Sequence, residues 1–119
     1  MIKILVIDDE DTLRITTIAV LRSSGFEAIG ATNGGEGIEL ARTTLPDLII
    51  CDIRMELVNG YQMLTAIRND SVTATIPFIL MTSNPDREGL RQGMELGADD
   101  YMSKPFSPYE LVAAVNARL

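Results

Sequence analysis

Leu48-Ile49-Ile50-Cys51-Asp52 is an apolar run that ends in a single carboxylate, and the fold is read outward from it. Consecutive β-capable residues, bounded by Pro46 and by a polar segment, read as a strand buried on both faces. A lone carboxylate inside such a run would cost several kcal/mol. At the C-terminal end of the strand it is tolerated, and there open parallel sheets place their ligand chemistry. The first strand repeats the pattern, because Ile2-Lys3-Ile4-Leu5-Val6-Ile7 runs directly into Asp8-Asp9. If the two strands are parallel neighbours, Asp8, Asp9 and Asp52 crowd one sheet edge and repel one another unless positive charge lies between them.

Composition narrows the class. A chain of 119 residues forms one domain, 1–119, with a real core. Ten Lys+Arg against 17 Asp+Glu leave a net charge of −7, which argues against direct nucleic-acid binding by this domain. No run approaches the roughly 18 apolar residues of a membrane span, so no membrane association is expected. The N-terminus enters a strand without a basic segment or cleavage site, and no signal peptide is expected. A single cysteine, Cys51, excludes an internal disulfide and fits a reducing, cytoplasmic setting; it reads as a small buried hydrophobe. The absence of histidine removes the commonest general base, the usual zinc ligand and any Ser-His or Cys-His pair. Carboxylates, hydroxyls and lysine are left to do any chemistry.

Around the central run, helices and strands alternate. Thr12–Ser24 reads as a helix with Leu13, Thr17, Val20 and Leu21 on one face, closed by Gly25. Phe26–Ala31 reads as a strand, Asn33-Gly34-Gly35 as a turn, and Glu36–Thr44 as a weakly amphipathic helix stopped by Pro46. Ile53–Gly60 fits neither period and reads as a loop closing on Asn59-Gly60. Tyr61–Asn69 is a third helix, Pro77–Met81 a fourth strand, and Asp86–Leu96 a fourth helix closed by Gly97. Asp99–Met102 is a short fifth strand. Ser107, Pro108 and Glu110 then open a last helix over Tyr109–Arg118 as N-cap, first helical residue and capping-box partner. This alternation predicts an α/β fold, a parallel sheet with helices on both faces.

In a parallel sheet the C-terminal strand ends share one edge. Asp8 and Asp9, Asp52, Thr82 and Ser83, and Lys104 therefore converge. Carboxylates with only oxygen partners suit Mg²⁺. A hydroxyl and an ammonium beside them suit the oxygens of a phosphoryl group, whose transfer needs mainly positioning and charge neutralisation.

These residues resemble the receiver domain of two-component response regulators, of the chemotaxis-regulator type, over essentially the whole chain. Asp8-Asp9, Asp52, Thr82 and Lys104-Pro105-Phe106 carry the likeness, as does the tract Gly97-Ala98-Asp99-Asp100-Tyr101-Met102-Ser103-Lys104-Pro105-Phe106. The resemblance implies a flavodoxin-like five-stranded sheet in the order 2-1-3-4-5. It implies Asp52 as phosphoacceptor, with Mg²⁺ held by Asp9, Asp52 and the Arg54 carbonyl, and by Asp8 through water. Lys104 and Thr82 would hold phosphoryl oxygens, Tyr101 would be the switch aromatic, and Lys104–Pro105 a cis peptide. The implied partners are a histidine kinase or phosphotransfer protein and an output domain or downstream protein, addressed through the fourth helix, fifth strand and fifth helix. The chain would catalyse only its own phosphorylation and dephosphorylation.

Some positions depart from the family pattern. Glu56 stands where the family usually has proline and adds negative charge beside the site. Arg54 and Asn84 fill the variable positions that tune phosphoryl lifetime. Leu90 and Ala114 replace the basic partners of Asp99, Asp100 and Glu110 in the dimer common to receivers with winged-helix DNA-binding domains, which weakens the case for that dimer and leaves a stand-alone regulator and another class of output domain equally open. Other readings are weaker. An aspartate phosphatase would need a second acid at position 54, which is Arg. A flavin domain would need a Ser/Thr-rich loop where Asp8-Asp9-Glu10-Asp11 stands. A non-phosphorylated interaction module would not need every one of these residues.

Overall fold

The computed structural model describes residues 1–119. The strands are β1 (Lys3–Ile7), β2 (Glu27–Ala31), β3 (Leu48–Asp52), β4 (Phe78–Thr82) and β5 (Asp100–Ser103). The helices are α1 (Asp11–Ser23), α2 (Gly34–Thr44), α3 (Gly60–Asn69), α4 (Arg87–Glu95) and α5 (Pro108–Arg118). All strands pair in parallel, in the order β2-β1-β3-β4-β5. The expected flavodoxin-like fold is therefore the observed one. Strand order reverses between β1 and β3, so a crevice opens beyond their C-terminal ends.

The unbroken apolar runs have a direct cause, since period-2 alternation sends neighbouring side chains to opposite faces and both faces are covered. Leu5, Ile7, Ile49, Cys51, Phe78 and Leu80 face Ala41 of α2 and Met63, Leu64 and Ile67 of α3. Ile4, Val6, Leu48, Ile50, Ile79 and Met81 face Leu21 of α1 and Leu111 and Val115 of α5. Each fully buried aliphatic or aromatic side chain contributes about 1.5–3 kcal/mol. Met63, Met81 and Met102 are core, whereas Met94 is exposed.

Several boundaries differ from the sequence reading, for local reasons. The helix α2 opens at Gly34 rather than Glu36, because the Asn33 side chain accepts the Glu36 amide at 2.9 Å and caps the first turn. Its amphipathicity is weak because a glycine does part of the packing. A Cβ on Gly37 would lie 2.7 Å from Ile7 Cδ1 and 3.1 Å from Met63 Cε. In α3, Asn59 is the N-cap, paired reciprocally with Gln62, and Gly60 is already helical. Asp99, read as a dimer-face charge, is used internally. Its Oδ2 accepts the Phe78 amide at 2.8 Å and an Arg68 guanidinium hydrogen at 3.1 Å. Arg68 also donates to the Gly97, Ala74 and Ile76 carbonyls and so fastens the α3–β4 connection.

The loop between β3 and α3 contains a strained residue. Leu57 sits at φ +67° and is 98% exposed, so no packing offsets the left-handed backbone. Leu57→Gly removes that strain at a smaller entropic cost. It is expected to stabilise the protein by about 0.5–1 kcal/mol in urea denaturation. An unchanged or lower midpoint would contradict this account.

Candidate functional site

The site assembles at the crevice from four strand ends. Asp8 follows β1 and continues its ladder, donating its amide to the Ala31 carbonyl at 3.1 Å. Its Oδ1 accepts the Glu10 amide at 2.9 Å and turns the chain into α1. Arg14 reaches back from α1, placing one guanidinium nitrogen on the Asp8 carbonyl at 2.8 Å and another on Asp11. Asp8 is fully buried, while Asp9 faces solvent. Asp52 ends β3 opposite Met81 and is only 6% exposed.

Lys104 follows β5 and donates its amide to the Thr82 carbonyl at 2.8 Å, which locks the two strand ends together. Its Nζ lies 3.2 Å from Asp52 Oδ1 and 3.5 Å from Asp8 Oδ2. The Lys104–Pro105 peptide is cis. Thr82 is buried, and its Oγ accepts the Asn84 amide at 3.1 Å. Arg54 is exposed and, with Thr82, Asn84, Tyr61, Gly89 and Tyr101, lines an open pocket of about 270 Å³ beside Asp52. Tyr101 is half-buried in that wall. The structure thus brings Asp8, Asp9, Asp52 and Lys104 together directly, with Thr82, Arg54 and Tyr101 around the adjoining pocket.

The electrostatics are unbalanced. Carboxylate oxygens of Asp8, Asp9 and Asp52 lie within 4.8 Å of one another. Three negative charges against the single Lys104 ammonium leave the cluster at −2. Burial pushes the Asp52 carboxyl above the ordinary range; Lys104 opposes the rise, and Asp8 adds to it. Asp8 Oδ2 is buried with no hydrogen bond, its nearest cation being the Lys104 ammonium at the long distance of 3.5 Å. An orphaned buried carboxylate oxygen in an all-oxygen cluster is what a hard divalent cation would complete, so these residues fit Mg²⁺. Cys51 does not join them. Burial drives its thiol well up, and Sγ points a weak hydrogen bond at the Asp52 carbonyl.

Gly60 was legible only as part of a turn, yet it belongs to the site. A Cβ there would stand 2.6 Å from the Asp52 carbonyl oxygen and 2.8 Å from Ile53 Cα. Both are backbone atoms and cannot rotate away. Gly60→Ala gains up to about 1 kcal/mol of helix propensity. That gain is smaller than the overpacking cost, leaving an expected net loss of about 1–3 kcal/mol. Because the displaced atoms belong to Asp52 and its neighbour, the Asp52 carboxylate should shift from the Lys104 ammonium as well. A variant with the wild-type urea midpoint would refute the close approach.

Comparison with known proteins agrees with this geometry. Residues 4–116 match the family model described as the response regulator receiver domain. The chain is 38% identical over 117 residues to the DNA-binding response regulator MtrA of Mycolicibacterium smegmatis, covering 98% of this chain and 50% of that protein. It is 36% identical over 116 residues to the phosphate regulon transcriptional regulatory protein PhoB of Pseudomonas aeruginosa, covering 98% of this chain and 51% of that protein. The chain thus spans about half the length of these relatives. Among solved structures, the chemotaxis protein CheY4 of Vibrio cholerae superposes with a TM-score of 0.96 at 28% identity, covering 100% of this chain and 99% of that one. A putative response regulator from Chloroflexus aurantiacus gives 0.92 at 35% identity, covering 98% and 95%.

Proposed function

The chain belongs to the response regulator receiver domain family, and from that premise we propose that it is the phosphoacceptor module of a two-component or phosphorelay system, loaded on Asp52. The observation that carries the reading is the Lys104 ammonium 3.2 Å from a buried strand-end carboxylate. An Asp52 oxygen attacks the phosphorus of a donor, and the donor's P–N or P–O bond breaks with its electron pair leaving on the donor. The product is an acyl phosphate, labile enough for a reversible signal. A phosphohistidine donor, on a histidine kinase or phosphotransfer protein, must come from outside these 119 residues, because they contain no histidine.

Asp9, Asp52 and the Arg54 carbonyl, with Asp8 through water, would hold Mg²⁺, which when bound neutralises the transferring oxygens. Lys104 then pairs with a phosphoryl oxygen in place of the Asp52 carboxylate. Thr82 accepts from Asn84, which leaves its own hydroxyl hydrogen to donate to a second phosphoryl oxygen. The added group carries about −1.5 to −2 charge and draws Thr82 toward it. Tyr101, on the same pocket wall, follows into the vacated space, a two-state change read at α4, β5 and α5. An output domain or downstream protein reads that surface. The acidic balance of −7 keeps this domain itself off nucleic acid.

Intact mass after incubation with acetyl phosphate tests the reading. One labile phosphoryl adduct is expected with Mg²⁺ and none with EDTA. No adduct in either, or a metal-independent one, would overturn it.

A further inference from the structure

Two tyrosine hydroxyls meet under the first turn of α4. Tyr61, the second residue of α3, donates its hydroxyl hydrogen to the Gly89 carbonyl at 3.0 Å. Tyr101 approaches from β5 and converges on the same residue. A Cβ on Gly89 would lie 2.8 Å from the Tyr61 hydroxyl and 3.2 Å from the Tyr101 hydroxyl. One turn later, a Cβ on Gly93 would lie 3.7 Å from Tyr61 Cε1 and 3.8 Å from Tyr101 Cδ2. Both rings therefore lie along a face of α4 that two glycines keep flat. Burial pushes the Tyr61 phenol up to about 12, with Tyr101 raising it further, so Tyr61 keeps its proton near neutral pH.

Tyr61 is also mechanically close to the phosphoacceptor. Its neighbour Gly60 is the residue packed against the Asp52 carbonyl. A shift at Asp52 has a short route, by packing contact to Gly60 and then along the chain to Tyr61, whose hydroxyl holds the Gly89 carbonyl. The route through Thr82 and Tyr101 ends over the same glycine. Neither route requires α4 to deform internally, because both bear on its N-terminal turn.

We propose that Tyr61 is a positioning residue of the switch: fastened to the Gly89 carbonyl, its hydroxyl forms the seat of the half-buried Tyr101 ring, so that α4 and Tyr101 change position together. The proposal rests on the reading of Tyr101 as the moving aromatic. It assigns Tyr61 no contact with the phosphoryl group.

The test uses ¹³C-tyrosine NMR, where only Tyr61, Tyr101 and Tyr109 contribute. Spectra of the wild type, Tyr61→Phe and Gly89→Ala are recorded with Mg²⁺, before and after addition of acetyl phosphate. In Tyr61→Phe, the Tyr101 signals before phosphorylation should move toward their phosphorylation-shifted positions or broaden, and the remaining phosphorylation-dependent shift should shrink at least twofold. Amide exchange in the first turn of α4 should quicken. Gly89→Ala, which pushes both hydroxyls without removing either, should perturb the same signals. A merely structural tyrosine would lower stability while leaving the phosphorylation-dependent shift of Tyr101 intact. If the wild-type Tyr101 responds and Tyr61→Phe responds identically, the role of Tyr61 is overturned alone. If the wild-type Tyr101 does not respond although Asp52 carries the adduct, the switch reading fails and the proposal falls with it.

Discussion

Asp52→Asn is expected to take up no phosphoryl group from acetyl phosphate and, in EDTA, to be more stable than the wild type. The first effect is complete because the nucleophilic carboxylate is gone; an amide oxygen does not form the acyl phosphate. The second follows from the charge balance at the crevice. Removing one of three carboxylates takes the cluster from −2 to −1, next to a fully buried Asp8. Replacing a buried, incompletely compensated charge by a neutral isostere is worth about 1–3 kcal/mol. The pH dependence has a definite sign. Burial raises the Asp52 pKa in the folded protein, so the folded state disfavours the ionised form. For a carboxyl shifted upward, no stability is lost below the unfolded-state value. The loss grows as pH rises from there to the raised folded value, and is constant above it. The gap between Asp52→Asn and wild type should therefore open across that window and stay level above it. Mg²⁺ should narrow it, since a cation bound to the folded wild type adds about 1.4 kcal/mol at tenfold excess over its Kd. Intact mass and urea midpoints at several pH values decide the matter. An adduct on the variant, or a variant less stable than wild type in EDTA at neutral pH, would contradict the assignment.

Much of this was legible in the sequence because a doubly covered parallel sheet leaves a plain signal. Runs such as Leu48–Asp52 and Phe78–Thr82 are apolar throughout since both faces are buried. The polar residue ending each run marks the edge where the site lies. What stayed hidden depended on distances between atoms remote in sequence. Gly60 reads as turn punctuation, and only the packed fold puts its Cα against the Asp52 carbonyl. Arg14 and Arg68 hold the Asp8 carbonyl and the α3–β4 connection through backbone acceptors that have no sequence signature. Tyr61 reads as a helix-start aromatic, and its partner is a carbonyl 28 residues away. Gly34-Gly35 reads as a turn yet opens α2, because glycine marks both turns and close helix packing, and the Asn33 cap decides between them.

Lys104→Met should have the opposite sign to Asp52→Asn. The Lys104 side chain is 11% exposed, and its ammonium lies within 3.5 Å of both buried carboxylates. Truncating it leaves Asp8 and Asp52 facing each other without their cation, and breaking a buried pair in this way costs about 3–5 kcal/mol. Part of that cost can be escaped by protonation. Lys104 is the group that lowers the Asp52 pKa, so its loss lets the carboxyl rise further. The deficit should therefore be small at acid pH, grow as pH climbs through the raised Asp52 value, and be full above it. Mg²⁺ should restore part of it, because the all-oxygen cluster then binds a divalent cation without a competing ammonium. Phosphoryl uptake should fall by roughly ten- to a hundredfold, as one charge-assisted hydrogen bond to the transferring group is worth about 1.5–3 kcal/mol. The decisive measurement is the double variant Asp52→Asn/Lys104→Met in EDTA. If Lys104 chiefly compensates Asp52, the double variant is more stable than the sum of the single effects predicts, because no ionised Asp52 remains to be stranded. Additive effects would mean that the two side chains are neighbours without coupling, and that the charge at this crevice is balanced by something other than Lys104.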